Sequence, residues 1–139
     1  MKFDTKDLDQ EVWDARARAE ALQIFSKDST SRGRSLEEIV DAVKYGHAAE
    51  LYMIEQCGFT DDKRPYKDVL DPNGKQVEVK VTSGIHNVPY ILEKCNNDAK
   101  DKWRNYATIL YIWINDKTNT VYNLHGIYHW NGKEFLARK

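Results

Sequence analysis

The spacing of hydrophobic and polar positions changes several times along this chain, and each change marks an element. Over residues 6–25, Leu8, Val12, Ala15, Ala19 and Leu22 follow one another at spacings of 4, 3, 4 and 3, which predicts a helix with a single apolar seam. The alanines permit close approach to the rest of the domain or to a second copy, and packing within the chain is the commoner outcome for a short amphipathic helix. Residues 27–34 are small and polar and read as a connector. Ser35, with Glu38 three positions on, is a capping box that opens a second helix, and Gly58 ends it. Leu36, Ile39, Val40, Val43, Ile54 and Cys57 form its apolar stripe. At about 100° per residue, Glu50 falls in the middle of that stripe. A carboxylate aimed at the core needs a partner. Three solutions exist: a buried ion pair with Lys or Arg, a bend at Tyr45-Gly46 that turns Glu50 outward, or a place in a functional site.

Beyond Gly58, residues 59–63 read as a short strand ending before Pro65, and 66–70 with 75–81 as a hairpin. Its turn, Asp71-Pro72-Asn73-Gly74, suits a type I turn followed by a left-handed glycine, the three-residue loop with a bulge. That register sets Asp71 opposite Lys75, Asp68 opposite Glu78 and Tyr66 opposite Lys80. A two-residue loop would instead pair Asp68 with Val77 and send Glu78 to the other face. The bulged loop is preferred because it keeps Val69, Val77, Val79 and Val81 on one buried side, with Leu70 at the rim. A third helix is expected over 87–103, with Pro89 in its first turn and Ile91, Leu92, Cys95 and Ala99 inward. The apolar run 107–114 predicts a central strand buried on both faces, reached through that helix as a crossover. Residues 121–128 and 133–136 complete the set as strands joined at Asn131-Gly132. The expected fold is α/β: a mixed sheet of five to six strands flanked by helices, with an N-terminal helical extension.

Asp68, Glu78 and Lys80 share one face of the hairpin in this register. Two carboxylates facing each other across a strand pair repel unless a cation lies between them, and a hard divalent ion such as Mg²⁺ suits oxygen donors. Glu50 is then a candidate third acid. A chain of 139 residues, 41% of them hydrophobic, suffices for one domain, 1–139, divided into helix and connector (1–34) and core (35–139). Cys57 and Cys95 stand alone, without the spacing of a disulfide framework or a zinc site. The net charge of −1 excludes a generally basic nucleic-acid binder and leaves only local basic patches, within a composition that is 31% charged. A charged N-terminus and the lack of a long apolar run lead to the expectation of a soluble cytoplasmic protein without membrane contact.

Acidic-x-Lys tripeptides also occur at Asp4-Thr5-Lys6, Asp61-Asp62-Lys63 and Asp98-Ala99-Lys100, so the tripeptide alone carries nothing. Only Glu78-Val79-Lys80 lies in an alternating valine strand with a facing acid, Asp68, and a helical Glu50 upstream. In this context the chain resembles the PD-(D/E)XK nuclease superfamily, with its restriction-endonuclease-like core. Gly46-His47-Ala48-Ala49-Glu50-Leu51, Cys57-Gly58-Phe59 and Asp68-Val69 are similar to the pattern of Holliday junction resolvases, over roughly residues 44–115. Lys67 stands where the family name has Pro. Asp71 is a rival acid, but its place at the first corner of the turn assigns it to capping.

The resemblance implies a Mg²⁺-dependent endonuclease, with Mn²⁺ substituting, that hydrolyses DNA and leaves a 5′-phosphate. Asp68, Glu78 and the carbonyl of Val79 would hold the ion, and Glu50 would ligate directly or through water. Lys80 would orient or help deprotonate the attacking water and offset charge on the phosphate. The plainer alternative for Lys80 is a salt bridge to Glu78 worth at most about 1 kcal/mol. Arg32, Arg34, Lys63, Arg64 and Ser83 are candidates for nucleic-acid backbone contacts. His47, one turn before Glu50, reads as a structural histidine able to bond it, and His125 and His129 receive no role. The competing readings are a noncatalytic nucleic-acid- or protein-binding domain of the same fold and an RNA-cleaving nuclease. The small size suggests a homodimer for cutting both strands.

Overall fold

A strand that the sequence pattern did not disclose, β1 (Lys2–Asp4), opens the chain in the computed structural model, which describes residues 1–26, 33–64, 68–116 and 119–138. Arg32, Tyr66 and most of the connector expected at 27–34 lie outside the described residues. A single 3-10 turn (Thr5–Asp7) leads to helix α1 (Gln10–Phe25), which starts four residues later than the spacing predicted. The cause is local: the Asp9 carboxylate accepts the Glu11 and Val12 N–H groups and fixes the N-terminus there. Helix α2 (Leu36–Gln56) carries the expected capping box, Ser35 Oγ accepting from Glu38 N–H and Glu38 Oε1 from Ser35 N–H. It runs unbroken through Tyr45-Gly46 and is followed by Gly58 at φ +77°. The bend considered for Glu50 is therefore absent.

Next come β2 (Thr60–Asp61), β3 (Val69–Leu70), β4 (Gln76–Thr82), a 3-10 turn (Ile85–Asn87), α3 (Val88–Asp101), β5 (Ile109–Ile114), β6 (Val121–Trp130) and β7 (Phe135–Ala137). They build one mixed sheet in the order β1-β6-β5-β4-β3-β2, with β7 also on β6. Only β4 and β5 run parallel, with α3 as the crossover between them. The seventh strand, one more than the sequence indicated, is β1. It is too short and charged to show a period, and its pairing with β6 and the stacking of Phe3 on Tyr52 and Tyr122, at 4.4 and 4.9 Å, hold it in place.

The hairpin register follows its turn chemistry. Val69 faces Val77, Leu70 faces Gln76, and Gly74 adopts φ +81°. Asp71 Oδ1 accepts the N–H groups of Asn73 and Lys75, the capping job expected of it. Val69, Val77 and Val79 are buried against α2, with Val81 packed beside them. On the opposite face Leu110 and Ile112 of β5 pack on Val88, Cys95 and Ala99 of α3.

The seam expected on α1 is not the one that packs. Ala17 and Ala21 are fully buried against Ile39 and Val40 of α2, with Ile24, Leu36 and Val43 around them, whereas Val12 and Leu22 are exposed. Alanines recur on more than one side of this helix, so spacing leaves its rotation undecided. The rotation is set by the smallest pair, which allows the closest approach, and by the Trp13 indole N–H, which donates to the Lys44 carbonyl at 2.8 Å.

Candidate functional site

The site forms where the pairing of β3 with β4 ends. β3 contributes only two paired residues, and Asp68 lies just before it. There the Asp68 carboxylate substitutes for a strand partner: Val79 N–H donates to Asp68 Oδ2 at 2.8 Å. Glu78 and Lys80 flank Val79 and point to the α3 side of the sheet, in register with Leu110 and Ile112. Lys80 Nζ lies 3.2 Å from Glu78 Oε1. Glu50 comes from α2 on the other side of the sheet, lines a cavity with Asp68 and Val79, and is 7% exposed. His47 Nδ1 lies 3.0 Å from Glu50 Oε2, and His47 Nε2 contacts Glu20 Oε2 of α1. The side chain that faces Glu50 is thus His47, the neighbour read as able to bond it, and not the Lys or Arg of the ion-pair alternative.

The electrostatics follow from this crowding. Burial, then the charges of Glu50 and Glu78, push the Asp68 carboxyl up to about 8, against the opposing Val79 hydrogen bond and Lys80 charge. Burial works against the Lys80 ammonium, but the adjacent Glu78 outweighs it and holds its pKa above the usual lysine range. Lys80 is therefore a proton donor and fixed cation at neutral pH. Burial likewise opposes a charged His47, and the Glu50 hydrogen bond with the Glu50 and Glu20 charges outweighs it.

An open cavity of about 810 Å³ adjoins Asp68 and Glu50, walled by the acids Glu20, Asp61 and Asp62 as well as by His47, Lys63, Arg64 and Arg16, which pairs with Asp61. Lys63 is on this wall, between the acids Asp61 and Asp62 on one side and Arg64 on the other. Arg64 is at the same rim, but its guanidinium is engaged by Asp62, with Nε–Oδ1 at 2.8 Å and Nη2–Oδ2 at 2.6 Å, so much of its charge is already matched. Ser83 is exposed at the end of β4. Arg34 precedes α2 and lies about 20 Å along the helix axis from Glu50, so the structure does not bring it to the site.

Among the described residues, no three His, Cys, Asp or Glu side chains are close enough together to hold a metal ion as they stand. Each acid is turned to its own partner: Asp68 to the Val79 amide, Glu78 to Lys80, Glu50 to His47. The donors are carboxylate oxygens, as a hard cation requires: Glu50 and Asp68 line one cavity, and the charges of Glu50 and Glu78 both raise the Asp68 pKa. Sequence reasoning missed Arg16 and Glu20, which α1 contributes to the cavity wall. They flank the Ala17–Ala21 contact, so reading that pair as the seam would have found them.

No protein-family model, curated protein or solved structure matches this chain. Among the described residues, no helix is long and apolar enough to cross a membrane.

Proposed function

We infer that this protein is a metal-dependent endonuclease of the PD-(D/E)XK type acting on DNA. The observation that carries the reading is the placement of Asp68. Its carboxylate is held on the amide between Glu78 and Lys80, within the electrostatic reach of Glu50 from the opposite layer, beside a cavity that Lys63 borders. Asp68 and Glu78, with the Val79 carbonyl, would hold Mg²⁺ or Mn²⁺, and Glu50 would complete the donor set. The ion would supply a Lewis acid for the phosphoryl group and a bound water of lowered pKa. Lys80 acts as the fixed cation that offsets charge developing on the phosphate, and its raised pKa argues against a role as base. Lys63 at the rim draws in the backbone, and cleavage leaves a 5′-phosphate.

One observation favours a second reading. The three acids are not grouped as a chelate among the described residues, which also suits a noncatalytic nucleic-acid- or protein-binding domain of this architecture. Purified protein incubated with supercoiled plasmid, in millimolar Mg²⁺ or in EDTA, separates the two. Mg²⁺-dependent nicking is expected, with loss in EDTA. An intact plasmid in both conditions, with a structured RNA cut in parallel, would assign the site to RNA. Neither substrate cut would favour the binding domain.

A further inference from the structure

We propose that Glu20 and His47 form a positioning unit that holds Glu50 in the site, which makes helix α1 a working wall of the active centre rather than an appended extension. The inference rests on the nuclease reading and adds two residues to it. His47 and Glu50 are three apart on α2 and so lie on one helix face. Nε2 of His47 bonds to Glu20 of α1, and Nδ1 is 3.0 Å from Glu50 Oε2, an ion-pair contact that is not aligned as a hydrogen bond, so the ring is fixed at Nε2 and faces Glu50 with Nδ1. The side chains of His47 and Glu50 are 17% and 9% exposed. With Oε2 beside His47, Oε1 is left as the remaining donor of Glu50. The direction of that donor then depends on the imidazole, which depends on Glu20.

The supports of α1 are independent of this contact. Ala17 and Ala21 lock it onto α2, Trp13 donates to the Lys44 carbonyl, and Arg16 Nη1 meets Asp61 Oδ2 at 2.9 Å across the cavity. Removing Glu20 or His47 therefore leaves the helix pair assembled and releases only Glu50.

The test uses the full chain at one fixed pH, with Mn²⁺ titration calorimetry and plasmid nicking as separate readouts. His47→Ala is expected to weaken Mn²⁺ binding by about 10- to 100-fold, the usual effect of losing a partner that orients a metal ligand. Nicking should fall at low Mn²⁺ and recover at saturating Mn²⁺. His47→Asn places an amide N–H close to the position of Nδ1, without reach to Glu20, and is expected to restore most of the binding. Glu20→Ala is expected to give an intermediate loss. Wild-type Mn²⁺ affinity and nicking in His47→Ala, with only a lower melting temperature, would overturn the proposal in favour of a plain tie between helices. Wild-type protein that binds no Mn²⁺ would also overturn it. Wild-type protein that binds Mn²⁺ but cuts no nucleic acid would overturn the nuclease reading alone, and the calorimetry would still decide the roles of Glu20 and His47. Should His47→Ala fail to fold, Glu20→Ala, at a carboxylate 45% exposed, carries the same comparison.

Discussion

Replacing Asp68 by Asn puts a permanently neutral side chain in the crowded site and keeps an acceptor for the Val79 N–H. Asp68 has a carboxyl pKa of about 8 in the folded chain against 3.8 for an unperturbed aspartate. The unfolded chain therefore sheds this proton near the lower value while the folded chain retains it to the higher one. Between those two pH values the folded state binds more protons, so the stability of the wild type falls as pH rises through that window. At pH 7 the distance from the unfolded value is about 3 units, which at about 1.4 kcal/mol each sets a ceiling near 4 kcal/mol on the loss. Asn escapes it. Because Glu50 and Glu78 remain, the expected gain in Asp68→Asn is about half that ceiling, roughly 2 kcal/mol at pH 7 in EDTA, fading toward zero near pH 4. Urea unfolding followed by circular dichroism at several pH values measures it. Millimolar Mg²⁺ should narrow the difference by stabilising the wild type alone. A variant less stable than wild type at pH 7, or a difference that does not vary with pH, would refute the crowded-carboxylate account.

Glu78→Ala and Lys80→Ala are expected to abolish nicking while leaving the circular dichroism spectrum unchanged, since both side chains are on the partly exposed face of β4; an unfolded spectrum for either would contradict this. Ala21→Leu should destabilise the chain by about 1–3 kcal/mol through overpacking against α2, and Ala19→Leu by less than about 0.5 kcal/mol, as read by urea midpoints. Equal effects would mean that α1 is rotated differently. Gly74→Ala should cost about 1 kcal/mol because φ is +81° there, and Gly74→Asn less, since Asn tolerates that conformation; a neutral Gly74→Ala would argue against the bulged turn.

Elements governed by neighbours in sequence were legible in this chain before any coordinates. The Ser35–Glu38 capping box, the left-handed glycines at 58 and 74, and the alternating valines of β4 all follow from local chemistry, and the hairpin register came with them. That register put Glu78 and Lys80 on one face, where β4 carries them, and it also set Asp68 opposite Glu78, a position the two-residue β3 does not extend to. The tertiary structure decided what depends on contacts distant along the chain. β1 exists because β6 and the rings of Tyr52 and Tyr122 receive it. The face of α1 that packs was settled by two alanines and one indole hydrogen bond, since a helix with small residues on several sides has no dominant stripe. The same docking brings Glu20 to His47 and so determines what holds Glu50, while Arg34 is left far from the cavity that Lys63 borders. Local spacing encodes which residues share a face; only the packing of helix on helix and helix on sheet determines which faces meet.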